Sequence, residues 1–228
     1  MNAIVTQIPT EEEIVQRARD LIPTLRERAD ACEKARMVSR QTIQDFQQAG
    51  FFKILQPKRW GGYEMHPNVL NRVLIELARG CPSSAWNVMV LGVHPFEVGL
   101  LPEQVGDELW GQDNTKLVSS SYAPFGTVDA VEGGYRLNGE WLTSSGCDHA
   151  EGGAFVGGRV QENGEMVFRS FWIQREQIEE IVDDWHVVGL AGTGSKKLVI
   201  KDVFIPAYRS HVIGAYDQES HGQVENLF

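Results

Sequence analysis

The sequence predicts an α+β fold, an all-helical domain followed by an antiparallel β-sheet or barrel domain. Three observations predict it. Apolar residues recur at three- and four-residue steps from Ile14 to Leu91, as helices require. Near residue 115 that period gives way to short runs rich in Val, Tyr, Phe and Thr. Glycine-containing breaks of hairpin type separate those runs. Helices first and strands afterwards, rather than in alternation, define the class.

Thr10 precedes Glu11-Glu12-Glu13, an N-cap followed by acidic residues where the helix dipole favours them. Ile14, Ala18, Leu21, Leu25, Ala29 and Cys32 then form one apolar stripe, and Pro23 inside it predicts a kink or an early break. Ser39 opens a second helix through Ile43 and Phe46, which Gly50 closes. Residues 51–63, with Pro57, Arg59, Trp60, Gly61 and Gly62, read as a loop. A third helix from Pro67 carries Leu70, Val73, Leu74 and Leu77 and stops at Gly80. Pro82 starts a fourth, apolar on most faces through Trp86, Val88 and Leu91, which predicts burial at the centre of a bundle. A short fifth helix spans about 102–110.

Strands are expected over 116–123, 126–131, 135–143, 153–160, 166–173 and 196–204, with hairpin breaks at Glu132-Gly133-Gly134 and Glu162-Asn163-Gly164. Leu198, Ile200 and Val203 alternate as in a half-buried strand, interrupted near Asp202. The helical domain is therefore expected over 1–115 and the β-domain over 116–213. Residues 214–228 lose the pattern and read as a linker.

A 42% hydrophobic and 23% charged composition excludes disordered, collagen-like and coiled-coil classes. Twenty-one Lys and Arg against thirty-one Asp and Glu leave a net charge of −10, which argues against nucleic acid or an anionic membrane as partner. Three widely spaced cysteines, Cys32, Cys81 and Cys147, give no disulfide framework. The first residues lack the pattern of a signal peptide, and no apolar run reaches the ~18 residues of a membrane span. A soluble, cytoplasmic protein is expected.

Several motifs fail on inspection. Gly189 to Lys196 is a near miss for a phosphate loop, because Ser195 stands where Lys is needed and a strand follows in place of a helix. Cys147 and His149 lack a second ligand pair, so no metal is expected, and no GxSxG marks a nucleophile elbow. Two segments survive. Residues 137–150 read as a strand that ends in Thr143-Ser144-Ser145-Gly146 below Trp141, suited to present hydroxyls to a planar heterocycle or simply to satisfy a β-turn. Val118-Ser119-Ser120-Ser121 is a second small-polar strand that could lie beside it, its serines facing alternate sides. His94 stands in the apolar fourth helix, either as a hydrogen-bonded core residue or, facing a cavity, as a base for a weak acid.

Residues 50–62, GFFKILQPKRWGG, closely resemble a segment of the acyl-CoA dehydrogenase-like flavoproteins, and among these the oxygenase components of two-component flavin-dependent aromatic hydroxylases. Trp141-x-x-Ser-Ser-Gly-x-Asp-His resembles the flavin strand of that family. Trp185-x-x-x-Gly189-x-x-Gly-Thr-Gly-Ser195, followed by Asp202-Val203-Phe204-Ile205-Pro206, resembles its late β-domain signature. The resemblance spans residues 15–213. It implies an oxygenase that takes FMNH2 or FADH2 from a separate flavin reductase, forms a flavin C4a-hydroperoxide with O2, and hydroxylates a phenolic ring.

By position it implies Ser144 or Ser145 as donor near flavin N5, with Trp141 shaping the flavin pocket. Ser120 is implied near flavin or substrate, Trp86 beside the substrate, and His94 as base for the phenol. Thr193 and Ser195 are implied near cofactor or subunit contact. It further implies a homo-oligomer, a tetramer at full length, and a C-terminal helical bundle to which 214–228 would be the truncated link. An acyl-CoA dehydrogenase-like oxidoreductase and a non-catalytic module of the same fold are the alternatives.

Overall fold

The structure, a computed structural model, describes residues 8–213. Five helices come first: α1 (Glu11–Ala35), α2 (Arg40–Ala49), α3 (Pro67–Ala78), α4 (Pro82–Leu100) and α5 (Glu103–Trp110). Thr10 and Glu13 form a reciprocal capping box at the start of α1, and Ser39 accepts the Thr42 N–H at the start of α2. Gly50 ends α2 at φ 83°, a left-handed conformation that a side chain resists. The break expected at Pro23 does not occur, since α1 runs unbroken to Ala35. Its buried stripe of Ile14, Ala18, Ile22 and Leu25 lies against the other helices, and this packing outweighs the one hydrogen bond that proline removes. The stretch expected as a loop over 51–63 contains two short 3₁₀ turns, Phe51–Lys53 and Lys58–Trp60.

Eight strands follow: β1 (Ser119–Ser121), β2 (Thr127–Val131), β3 (Gly134–Ser144), β4 (Ala154–Glu162), β5 (Glu165–Ile173), β6 (Glu180–Val182), β7 (Lys196–Pro206) and β8 (Ser210–Val212). They form two four-stranded sheets, in the order β1-β4-β5-β8 and β2-β3-β7-β6. Both glycine-marked breaks are hairpin turns, between β2 and β3 and between β4 and β5. All pairings are antiparallel except β1 with β4, which is parallel. The interruption foreseen at Asp202 is a bulge: Asp202 has φ 52°, and the β3–β7 register shifts between Leu137 and Gly139.

Trp141, Leu137, Val156, Phe171, Leu198 and Ile200 fill the space between the sheets. A separate helical core gathers Ile14, Phe46, Phe51, Val73, Leu77 and Leu91. A third cluster joins the two layers: Trp60, Val98, Val105 and Trp110 from the helical side meet Val118, Phe155 and Trp172 from the first sheet. The second half of α4 is thereby fixed against β1 and β4. Its exposed side differs from the expectation of burial all round, because Trp86 and Val93 remain open on one stripe. Among the described residues no helix is long and apolar enough to cross a membrane.

Candidate functional site

The end of β3 is bent toward α4 by local backbone chemistry. Between Trp141 and Ser144 the β3–β7 register shifts, one extra residue being carried on β3, and Thr143 takes φ 62°. A β-branched residue in that region costs about 1–2 kcal/mol, and such bulges re-aim the side chains that follow. Gly146 follows at φ 70°, and a Cβ there would lie 2.7 Å from Asn87 Oδ1 and 3.1 Å from Leu91 Cδ1. Only glycine lets β3 approach α4 this closely.

At that approach four sequence-predicted residues meet. Trp86 Nε1 on α4 donates to Ser145 Oγ at 3.0 Å. Ser145 Oγ lies 2.6 Å from Ser195 Oγ, which lies 2.7 Å from Thr193 Oγ1. Thr193 Oγ1 in turn donates to the Leu190 carbonyl at 2.9 Å. The loop that carries Thr193 and Ser195 is anchored from the far side. Glu33 on α1 accepts the Ala191 N–H at 2.8 Å and the Ser83 hydroxyl, and the Thr193 carbonyl accepts the Gly146 N–H at 3.1 Å. Ser145 and Ser195 are buried, while Trp86 stays 42% exposed, so the cluster ends at an open aromatic face.

Three turns further along α4 from Trp86 a second cluster centres on a buried carboxylate. Glu97 Oε2 lies 3.1 Å from His94 Nδ1 and accepts from the Tyr122 hydroxyl, which itself lies 3.3 Å from His94 Nδ1. Glu97 Oε1 accepts from Ser170 Oγ at 2.7 Å and faces His211 Nε2 at 2.9 Å. Burial pushes the carboxyl pKa up, but hydrogen bonds from His211 and His94 more than offset this and take it down to about 2. Glu97 is therefore ionised. The His94 ring packs against Phe155 at a centroid distance of 5.7 Å and Tyr122 at 6.0 Å. Its Nε2 is buried without a hydrogen-bond partner.

The other sequence-predicted residues fall around these clusters. Ser144 is fully buried and donates to Ser119 Oγ at 3.1 Å. Ser119 and Ser121 face inward from β1, and Ser120 between them is half-buried on the opposite face. β1 lies against the end of β3 from the other sheet rather than beside it, linked by the Ser121 hydroxyl on the Leu142 carbonyl at 2.5 Å. Trp141 is fully buried between the sheets, with Nε1 donating to the Gly157 carbonyl at 2.7 Å. The Asp148-His149 pair is tied into the scaffold: Asp148 accepts from Lys196 Nζ at 2.8 Å and His149 Nε2 lies 2.9 Å from the Val38 carbonyl. Burial lowers the His149 pKa.

Sequence reasoning passed over Glu97, Tyr122, Ser170 and His211. One signal was present, a Glu three residues after a His inside an otherwise apolar helix, where both must share a face. His211 carried none, because β8 is three residues long and its partner is set only by the fold.

A family model described as acyl-CoA dehydrogenase, N-terminal domain, matches residues 9–98. The flavin-dependent monooxygenase oxygenase subunit HsaA of Rhodococcus jostii strain RHA1 is 44% identical over 196 residues, which are 86% of this chain and 51% of that protein. The oxygenase component of p-hydroxyphenylacetate 3-hydroxylase from Acinetobacter baumannii is 35% identical over 196 residues, 86% of this chain and 46% of that protein. The crystal structure of the HsaA monooxygenase from M. tuberculosis superposes with a TM-score of 0.89 at 40% identity, covering 96% of this chain and 60% of that one. The chain spans about half the length of the curated relatives it matches.

Proposed function

From its similarity to the acyl-CoA dehydrogenase N-terminal domain and to flavin-dependent oxygenase subunits, we propose that the chain is an acyl-CoA dehydrogenase-like flavoprotein and forms the flavin- and phenol-binding part of an oxygenase component in a two-component monooxygenase. The helical part, 1–115, and the β part, 116–213, both contribute to the site. A separate reductase supplies the reduced flavin, FMNH2 or FADH2, and the working form is a homo-oligomer. When bound, reduced flavin supplies the activation of O2 that places one oxygen atom on the ring.

The observation that carries this reading is the pairing of two unlike clusters on one helix. The first offers neutral hydroxyls from Ser145, Ser195 and Thr193 beside the open face of Trp86. Uncharged donors and an aromatic wall suit the polar edge and the flat ring of an isoalloxazine. Ser145 rather than Ser144 is the donor that reading favours, since the Ser144 hydroxyl is fully buried and spent on Ser119. Ser195 and Thr193 hold the Ser145 hydroxyl in place, and Trp141 and Ser144 support the strand from behind. The second cluster offers His94, whose unpartnered Nε2 can take a proton from a phenol. Ser120 and Trp86 flank the substrate between the two.

The reading is tested by incubating the 228-residue chain with a flavin reductase, NADH, O2 and FMN or FAD. A panel of phenols and, in parallel, acyl-CoA thioesters are offered as substrates. Catechol formation is the expected result. Oxidation of the thioester alone moves the chain to the dehydrogenase alternative, and failure to bind reduced flavin sinks both enzyme readings.

A further inference from the structure

Glu97 is surrounded by four groups from four segments of the chain: His94 on its own helix, Tyr122 just after β1, Ser170 on β5 and His211 on β8. Among the described residues the basic side chains within ion-pair distance of it are these two histidines, which carry charge only when protonated. An ionised carboxylate only accepts, and has about four lone-pair directions. Each neighbour that bonds to it must therefore bring its own hydrogen.

We infer that Glu97 is a positioning residue: it holds His94 in the Nδ1-protonated tautomer and so makes Nε2 the atom that receives the phenolic proton. This rests on the proposed function above. With Nδ1–H committed to Glu97 Oε2 at 3.1 Å, the neutral ring carries its free lone pair on Nε2. That nitrogen is buried and unpartnered, an arrangement that costs about 1–3 kcal/mol unless a donor arrives. A phenol hydroxyl is such a donor. In the transfer the phenol O–H bond breaks, its electron pair stays on the phenolate oxygen, and an N–H bond forms at Nε2. The imidazolium that results sits against a fixed carboxylate, as a general base needs. Glu97 gives up no proton and touches no substrate. A carboxylate bonded only to Ser170 on β5 and His211 on β8 would set no preference at Nε2.

The tautomer is read directly from the ¹⁵N chemical shifts of His94 in the labelled full chain, assigned by their loss in His94→Asn. A protonated Nδ1 and an unprotonated Nε2 are expected. A protonated Nε2, or shifts averaged between tautomers, overturns the inference without reference to any ligand. In Glu97→Leu no acceptor remains at the Oε2 position, so the fixed tautomer is lost and the shifts average between the two forms. His211→Asn, which leaves Oε2 unchanged, keeps the wild-type tautomer. The substrate side is read with 4-nitrophenol, whose absorbance changes when it ionises. The pH at which the bound probe ionises rises by about one unit in Glu97→Gln relative to wild type, the scale of one lost charge partner. An identical titration in both proteins overturns the inference. Failure of 4-nitrophenol to bind the wild-type chain sinks the phenol-site reading, and with it the acceptor role of Nε2, whatever tautomer the spectra show.

Discussion

The two clusters on α4 are built on opposite principles. Around Ser145 every member is neutral: with Thr193 donating to the Leu190 carbonyl, the hydroxyl hydrogens run from Ser145 to Ser195 to Thr193, and rotation of the Ser145 hydroxyl is enough to offer its hydrogen to a ligand instead. Around Glu97 the centre is a buried anion, and all neighbours are forced to donate. The first arrangement adapts to what binds it. The second fixes proton positions in advance, at the cost of keeping a charge out of water. One helix thus carries an adjustable contact for a ring edge and a rigid one for a proton.

The largest expected difference between them is in stability. Glu97→Ala leaves four donors facing an empty space, and should lower unfolding free energy by about 3–5 kcal/mol in urea denaturation. Ser145→Ala removes one neutral hydroxyl from a chain that can re-pair, and should cost about 1 kcal/mol. Equal losses in the two variants would erase the distinction.

Acid separates the clusters next. The Glu97 pKa falls in the folded state from the usual 4.5 to about 2, so it contributes stability that is present above 4.5 and lost as pH falls from there toward 2. The wild-type urea midpoint should drop across that window. The same drop should be much smaller in Glu97→Gln, whereas Ser145→Ala should follow the wild-type slope.

On turnover the order reverses. With reductase, NADH and a phenol present, Ser145→Ala should raise the rate of H2O2 release by about tenfold, one hydrogen bond's worth, with the fold intact. An unchanged peroxide yield would remove Ser145 from the cofactor contact. The smallest effect is expected at the bulge that aims Ser145. Thr143 is exposed at φ 62°, so Thr143→Gly should stabilise the chain by less than about 1 kcal/mol, since relief of strain is partly offset by chain entropy.

The same contrast explains what was legible in the sequence. Ser144, Ser145, Thr193 and Ser195 stand in compact small-polar runs at strand ends, where local pattern and local structure coincide. The helices were legible for the same reason: caps at Thr10, Ser39 and Gly50 and the apolar stripe of α1 are local facts. The parallel pairing of β1 with β4 and the strands β6 and β8 were not, because three-residue strands carry no periodicity and their partners are chosen by the fold. Glu97 was hidden by its setting, a single acid in an apolar helix whose partners lie 73 and 114 residues away.

The division of labour between the clusters is the central claim, and calorimetric binding tests it most directly. The dissociation constants of reduced flavin and of a phenol are measured anaerobically for wild type, Ser145→Ala and His94→Ala. Ser145→Ala should weaken reduced flavin by about tenfold and leave the phenol nearly unchanged, and His94→Ala should do the reverse. If both variants weaken both ligands alike, or neither ligand responds to either substitution, the two clusters do not serve two partners and the account fails.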